Sequence, residues 1–216
     1  VKPFINSKHE VVIGDVADLT KVQEAMQGVD SLIIAHMASR QAGAYEAPPP
    51  AFDANVKGTA NLFFAAVQVK VKKVVLISTT GVLNGYKETE FLSHDLPPKP
   101  KDNLYCLTKA CQEIIADHYY RTTGLPIAIL RVGGIIDADT MIDKYGKKLE
   151  YYSPHFIDRR DIGRAALAAL KLPDLKCERF FVIAPAEAAR RFDLQYTYQR
   201  LNWQPEYDFS WLPKSS

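Results

Sequence analysis

The sequence has little of what marks several classes of protein. It contains three cysteines in 216 residues, Cys106, Cys111 and Cys177. An odd number at irregular spacing suggests neither a disulfide framework nor a zinc site. No apolar run approaches the roughly 20 residues of a membrane span. The formal net charge is +2, and no lysine and arginine cluster is long enough to suggest nucleic acid. We therefore expect a protein of the reducing cytoplasm, without a metal, membrane or nucleic-acid partner.

The order of apolar segments predicts the fold class. Hydrophobic residues make up 47% of the chain and charged residues 24%, as in an ordinary globular protein. Continuous apolar runs, which are typical of parallel strands covered on both faces, occur at 10–15, 31–36, 73–78, 127–132 and 179–184. Helical patterns lie between them at 20–27, 52–69, 104–122 and 160–171. This alternation predicts an α/β fold with a doubly wound parallel sheet.

Other patterns bear on packing and loops. The helix pattern 52–69 has two apolar stripes, so we expect it to be buried by the sheet on one side and by a neighbour, such as a partner subunit, on the other. The Pro-rich or polar stretches 45–53 and 86–103 are interpreted as loops, and the length of the second suggests a functional role. The aromatic-rich C-terminal tail fits an apolar or sugar-stacking pocket and fits packing on the core equally well.

Tyr105 and Lys109 stand four residues apart in the stretch LYCLTKA. On a helix this spacing places both side chains on one side. A fixed ammonium lowers the pKa of a neighbouring phenol, so the pair could pass a proton to or from a carbonyl or alcohol oxygen. By itself the spacing fits a surface tyrosine with a solvated lysine better, because such pairs are common on helices. The predicted buried stripe of this helix consists of Leu104, Leu107, Cys111, Ile114 and Ile115.

Hydroxyl side chains end the strand pattern that precedes this helix. Ser78, Thr79 and Thr80 follow the run KVVLI. Ligands of open α/β sheets bind at the carboxyl ends of the strands, so these hydroxyls could hold a substrate oxygen. Capping of the strand end or of a turn is the alternative.

Several segments, taken together and in order, carry a family resemblance. They are VVIGDVAD, VDSLIIAHMAS, FDANVKGTANLFFAA, KKVVLISTTGVLNG, YCLTK, LPIAILRVGGII and FIDRRDIGRAALAAL. Over about residues 10–185 the chain thereby resembles the extended short-chain dehydrogenase/reductase family, the NAD(P)-dependent epimerase/dehydratase group. YCLTK matches the Tyr-x-x-x-Lys motif of that family. The resemblance implies a Rossmann-like NAD(P)-binding fold and NAD or NADP as the cofactor.

The resemblance also implies a role for each residue of the predicted site. Tyr105 would be the general acid/base, Lys109 would lower its pKa and bind the nicotinamide ribose, and Thr80 would hydrogen-bond the substrate oxygen. Asp15 and Val16 would lie beside the adenine. Further cofactor contacts, besides Tyr105 and Lys109 themselves, would be Ala35, His36, Ala38, Asn55, Ser78, Val132 and Gly133.

Three positions depart from the family pattern or stay open. Val132 stands where the family usually has proline, so we expect the nicotinamide loop 133–135 to be shaped differently. Cys106 stands where a small residue is usual, and we interpret it as a packing residue. His36 on its own fits a packed histidine better than a catalytic one, because no partner is evident.

The glycine-rich Gly-x-x-Gly-x-x-Gly turn of the family and the strand after it do not occur in the 216 residues. We therefore expect a fragment of a longer enzyme, in which the run 31–36 forms an exposed edge that promotes aggregation and the dinucleotide binds weakly. Residues 1–133 and 160–185 would form a partial Rossmann domain. Residues 134–159 and 186–216 would form a small substrate-binding region.

Two functions remain open at this point. The first is hydride transfer to or from a small carbonyl, alcohol or sugar, with a homodimer built on the helices 52–69 and 104–122, as the resemblance implies. The second is a non-catalytic NAD(P)-binding sensor or scaffold protein of the same fold. The presence of Tyr105, Lys109 and Thr80 together favours the enzyme, because a sensor has no physical need for all three.

Overall fold

A four-stranded parallel sheet forms the centre of the computed structural model, which describes residues 9–39 and 47–213. With strands numbered along the chain, its order is β1-β2-β3-β7. These strands span Ser31–Ile34, Lys73–Thr79, Ile127–Val132 and Cys177–Val182. The predicted doubly wound α/β class is confirmed, and four of the five predicted strands are present.

Helices cover both faces of this sheet. They are α1 (Leu19–Ala25), α2 (Pro48–Ala51), α3 (Gly58–Gln68), α4 (Leu104–Thr123), α5 (Arg159–Lys171) and α6 (Leu194–Leu201). A π-helical segment, Phe52–Lys57, joins α2 to α3, and two 3-10 turns span Thr80–Leu83 and Ala186–Arg190. Among the described residues, no helix has both the length and the apolar character that crossing a membrane requires.

Alternate residues of β3 face different helical layers. Ala128 and Leu130 pack in the cluster that contains the apolar face of α5. Ile127 and Ile129 pack in the cluster that contains side chains of α1, α3 and α4. All six residues of β3 are buried. A central strand of this kind must be apolar on both faces, which explains its continuous apolar run.

A second, smaller sheet lies beyond the carboxyl end of β3. Its strands are β4 (Gly134–Asp137), β5 (Ile142–Asp143) and β6 (Phe156–Asp158), in the order β5-β4-β6. Phe209 and Leu212 of the C-terminal tail pack against Ile136 and Met141 of this region. The sequence analysis predicted neither this sheet nor α6, because their segments are short and irregular in pattern.

Two predicted segments differ from the structure. Residues 10–15 form no strand, and the side chain of Ile13 is 73% exposed. A strand needs a partner, and no described segment pairs with this one. The predicted loop 45–53 lies partly outside the described residues, and its remainder is helical from Pro48. Proline is favoured in the first turn of a helix because its missing N–H has no intrahelical partner there.

The predicted buried stripe of α4 is wrong at two of its five residues. Leu107 and Ile114 are 42% and 57% exposed, whereas the other three are part-buried. The buried face carries Lys109, Gln112 and Glu113 beside the smaller Cys106, Ala110 and Ala116. Apolar periodicity identifies a face that is to be covered, but the face against the sheet here is held by polar groups that find partners on β2 and β3.

Candidate active site

A cleft of about 950 Å³ opens where β2 and β3 end. Its wall includes Thr80, Tyr105, Val132 and Gly133. These four predicted site residues come from three separate parts of the chain and meet because the carboxyl ends of parallel strands share one edge of the sheet.

Tyr105 lies in the first turn of α4, and Lys109 lies one turn further on. The side chain of Asn103 accepts a hydrogen bond from the Cys106 amide at 2.9 Å, which fixes the start of the helix beside the cleft. The Lys109 side chain is only 3% exposed, and its Nζ donates to the carbonyl oxygen of Ile77 at 2.5 Å. The lysine is therefore held against β2, below the tyrosine.

Burial controls the charge of Lys109. Desolvation lowers its pKa to about 7, Glu113 acts in the opposite direction, and Lys144 lowers the pKa further. Both the ammonium and the neutral amine are therefore populated near neutral pH. Lys109 itself does not line the cleft, but it lies one helical turn from Tyr105, which does.

The end of β2 approaches α4 closely. A Cβ atom built at Gly81 would lie 2.7 Å from the sulfur of Cys106. Glycine at this position therefore allows the 3-10 turn that carries Thr80 to pack against the helix that carries Tyr105. Cys106 is buried at this contact, in agreement with the interpretation as a packing residue.

The backbone after β3 makes a second close approach. A Cβ atom at Gly133 would lie 2.0 Å from the carbonyl oxygen of His155, and the Gly134 amide donates to that same oxygen at 2.6 Å. Only glycine fits here, so the wall of the cleft next to Val132 is formed by backbone. Val132 itself is a regular strand residue that pairs with Thr79 and Val182.

Asn55 and His36 lie behind the cleft wall. The fully buried Asn55 accepts from the Ala38 amide at 2.7 Å and donates to the hydroxyl of Thr108 at 2.9 Å. His36 Nε2 lies 2.8 Å from the carbonyl oxygen of Ala54, and burial lowers the pKa of this histidine. The two residues connect the loop after β1 to the π-helical segment and α4. The contact between His36 and the Ala54 carbonyl agrees with the interpretation of His36 as a packed histidine.

Ser78 does not lie in the cleft wall. Its hydroxyl is buried and donates to the carboxylate of Glu113 at 2.6 Å. Side chains of successive strand residues point to opposite faces, so Ser78 and its neighbours in the sequence cannot all face one site.

Asp15, Val16 and Ala35 lie away from the 950 Å³ cleft. Asp15 and Val16 border a separate groove of about 390 Å³ beside α1 and β1. A Cβ atom at Gly58 would lie 2.5 Å from Val16 Cγ2, so glycine allows this segment to dock on the start of α3. Ala35 is exposed immediately after β1.

A buried charge network supports the site and was missed from the sequence. Glu113 and Arg131 are fully buried, and Arg131 Nη2 donates to the carboxylate at 2.8 Å. The same guanidinium donates to the carbonyl oxygens of His94 and Leu96, which ties the loop 84–103 to the sheet. An arginine within the apolar run IAILRV was the available signal, since a buried charge requires a buried partner.

Charged side chains of the cleft were also missed. Lys144, His155 and Arg191 lie in the wall and come from segments without a regular pattern. Burial lowers the pKa of His155, and the positive charge of Arg191 lowers it further.

Comparison with known proteins identifies the family. The model of the NAD(P)H-binding family matches residues 2–173. The chain belongs to this family. Its cofactor is therefore NAD or NADP.

Curated relatives of this family member include several dehydrogenases. A uronate dehydrogenase of Pseudomonas syringae pv. tomato is 28% identical over 61% of the chain and 46% of the relative. An L-arabinose 1-dehydrogenase (NAD(P)+) of Haloferax volcanii is 30% identical over 62% of the chain and 56% of the relative. An uncharacterized chloroplastic protein of Arabidopsis thaliana is 27% identical over 81% of the chain and 55% of the relative. The chain thus spans about half the length of the curated relatives that it matches.

Solved structures show the same fold. A uronate dehydrogenase from Agrobacterium tumefaciens superposes with a TM-score of 0.76 at 23% identity, covering 92% of this chain and 69% of that one. A short-chain dehydrogenase/reductase superfamily protein from the same organism, with bound NAD, gives a TM-score of 0.77 at 19% identity, covering 94% and 82%.

Proposed function

We propose that this NAD(P)H-binding protein is a dehydrogenase that transfers hydride to or from a small sugar or sugar acid, with Tyr105 as the general acid/base. One observation carries the proposal. The Tyr105 and Thr80 side chains line one cleft, and the buried Lys109 lies one helical turn from Tyr105. Relatives named as uronate and L-arabinose dehydrogenases support the substrate class.

The side chains of the cleft fit the nicotinamide end of the cofactor. The bare backbone at Gly133 and Gly134 leaves that wall free of side chains, while Thr80 and Tyr105 supply hydroxyl groups to the same space. Lys109 would hold the ribose from below. Asn55, His36 and Ala38 would support the wall, and Asp15 and Val16 would contact the adenine. The volume of about 950 Å³ lies at the upper end of small-molecule pockets.

The proton route uses residues of this chain. When bound, the nicotinamide supplies the hydride acceptor or donor. During oxidation, Tyr105 takes the hydroxyl proton of the substrate, and during reduction it returns that proton to the carbonyl oxygen. Thr80 donates a hydrogen bond to the same oxygen. The ammonium form of Lys109 favours the phenolate of Tyr105 by charge.

The small sheet and the tail would form the substrate side of the cleft. Residues 134–159 and 186–216 are the proposed substrate-binding region, and residues 1–133 and 160–185 the dinucleotide-binding part. This division is supported by Ile135, Lys144 and Phe192. All three belong to the proposed substrate-binding region, and they line the same cleft as Tyr105. A cytoplasmic location stays a prediction.

We also propose a homodimer through α3 and α4. Phe63 is fully buried and stacks on Tyr119 with ring centroids 5.3 Å apart, while its neighbour Phe64 is 43% exposed. Leu107 and Ile114 are exposed on α4. Exposed apolar side chains on two packed helices support a protein interface.

Substitution of Tyr105 tests the function. Turnover is followed by nicotinamide absorbance with uronate and with L-arabinose, each with NAD+ and with NADP+. Tyr105→Phe should lose on the order of 100-fold or more in kcat while dinucleotide affinity is kept, because only the proton transfer is removed. Tyr120→Phe, at the far end of the same helix, is the matched control and should match the parent chain.

Two results would contradict the proposal. Near-normal turnover in Tyr105→Phe would eliminate Tyr105 as the acid/base. Dinucleotide binding without turnover on any carbonyl or alcohol of the panel would favour the non-catalytic sensor of the same fold.

A further inference from the structure

A β-hairpin between residues 137 and 149 enters the cleft and presents Lys144 to it. The hairpin is rooted in the small sheet, where β5 pairs antiparallel with β4. The Asp143 carboxylate accepts from the amides of Tyr145 and Lys147 at 2.9 and 2.8 Å. Gly146 takes the left-handed conformation that closes the turn, with φ at +86°. These bonds fix the backbone on both sides of Lys144.

The C-terminal tail anchors this hairpin. Met141, at the start of the hairpin, packs in one cluster with Phe209 and Leu212. Its carbonyl oxygen accepts from the Leu149 amide at 2.8 Å. The amide of Tyr152, just after the hairpin, donates to the Pro213 carbonyl at 2.8 Å. Lys144 therefore projects from a backbone held on both strands, and its place beside the cleft is built by tertiary packing.

The ammonium of Lys144 lies over the ring of Tyr105, 4.9 Å from its centroid. It is also 5.2 Å from the ring centroid of Tyr145 and 3.8 Å from the sulfur of Met37. In residues 9–39 and 47–213, no carboxylate forms an ion pair with it. An ammonium at this distance, with no described countercharge, acts on the ionisation of the phenol by its field.

We propose that Lys144 is a second cation of the proton-transfer site, which stabilises the phenolate of Tyr105 together with Lys109. Lys109 is ill suited to do this alone. Its Nζ donates to the Ile77 carbonyl, and burial populates its neutral form near neutral pH. The side chain of Lys144, by contrast, is exposed.

Other charged groups of the cleft wall act on the same space. They are Lys87, Glu88, Lys101, Asp102, His155 and Arg191. Arg191 donates to the Glu88 carbonyl at 2.5 Å, and Asp102 accepts from Asn84. Within the described part of the chain, Lys144 lies over the ring of Tyr105 and none of these six does. Variants of Lys144 therefore separate its effect from theirs.

The inference builds on the acid/base role proposed for Tyr105, but its test does not depend on turnover. Tyrosinate absorbance is titrated in the parent chain and in Tyr105→Phe, and the difference curve reports Tyr105 alone. The same pair is measured in the Lys144→Ala, Lys144→Gln and Lys144→Arg backgrounds. Lys147→Ala, on the same hairpin with an exposed side chain, is the matched control. Circular dichroism confirms that each variant is folded over the titrated range.

Loss of the Lys144 charge should raise the midpoint of the Tyr105 curve by about one pH unit in the Ala and Gln variants. Lys144→Arg should restore it, Lys147→Ala should leave it unchanged, and added salt should shrink the difference because Lys144 is exposed. Where turnover is measurable, the acid limb of the pH profile of kcat/KM should move by the same number of pH units.

A Tyr105 midpoint that stays within about 0.2 units of the parent value in Lys144→Ala would overturn the inference, since the expected effect is several times larger. Failure of the proposed function has a different signature. Tyr105→Phe would then keep normal turnover, while the absorbance titration would still report the coupling between Lys144 and Tyr105.

Discussion

Lys109 shows that a single site residue can face two opposing requirements, a fixed position in the fold and solvation of its charge. Lys109 must lie against β2 to sit below Tyr105, and that position removes it from water. Burial is the largest influence on its pKa, which falls to about 7 despite the nearby Glu113 carboxylate. The lysine is therefore a source of instability that the fold retains for its place at the site.

Replacing Lys109 by methionine should make this instability measurable. Between about pH 7 and 10, the unfolded lysine binds its proton while the folded one has released it, so the contribution of this group to stability rises with pH in that window. The methionine of Lys109→Met does not titrate, so this pH-dependent contribution to stability is absent from the variant. Its gain in unfolding free energy over the parent, on the order of 1–4 kcal/mol, should be largest at or below pH 7 and shrink towards pH 10.

Denaturant unfolding at several pH values measures this trend. Lys147→Met, which changes an exposed lysine, should give a difference that stays flat with pH. A constant or rising advantage of Lys109→Met above pH 7 would show that the buried amine is not deprotonated in the fold.

The sequence predicted some site residues and missed others for physical reasons. Helix spacing and the family resemblance together predicted Tyr105 and Lys109 as a pair on one helix, and both lie on α4, whose start Asn103 fixes. Strand alternation decides which hydroxyl faces the cleft, and it turns Ser78 towards Glu113. Lys144 was beyond prediction, because its position depends on long-range packing between a hairpin and the tail.

At the level of elements, α4 buries polar side chains together with apolar ones against the sheet. Its inner face places Glu113 where β2 and β3 supply Ser78 and Arg131 as partners. Periodicity located the helix to within one residue at its C-terminal end but wrongly assigned Leu107 and Ile114 to the core. A helix that carries a site against a sheet can bury polar groups only because those groups find fixed partners.

Neutralising Glu113 tests how much its ion pair with Arg131 contributes to the stability of the fold. Glu113→Gln leaves the fully buried Arg131 without its countercharge and should cost about 3–5 kcal/mol of unfolding free energy. Asp117→Asn, one turn further along α4, breaks the pair with Arg179 and should cost less, because Arg179 keeps the Glu113 carboxylate at 3.4 Å as a second partner.

Urea unfolding of both variants gives the loss of unfolding free energy for each pair. Equal, small losses in the two variants would mean that the Arg131 guanidinium is satisfied by the carbonyl oxygens of His94 and Leu96 alone.

Helices cover the two sides of the main sheet, α3 and α4 on one and α5 on the other. Phe64, Leu107 and Ile114 are the exposed apolar side chains of the proposed interface on α3 and α4. Phe64→Asp should convert the proposed dimer into monomers, because a charge would be buried at the interface. Leu167→Asp, on α5 with the side chain 55% exposed, is the control and should leave the assembly unchanged.

Sedimentation velocity at micromolar concentration measures the oligomeric state of the parent chain and of both variants. A parent chain that already sediments as a monomer would end the proposal for this face, and a dimer that survives Phe64→Asp would place the interface elsewhere.

The edge position of β1 among the described strands gives the sheet an uneven resistance to local opening. Within residues 9–39 and 47–213, β1 has four residues and pairs with β2 alone, whereas β3 has a strand on either side and six buried residues. Deuterium from solvent should therefore reach the amides of β1 first, through small fluctuations of the edge, and those of β3 last, when the whole domain unfolds. The edge then forms the least stable unit of the sheet, and its opening leaves the floor of the cleft in place.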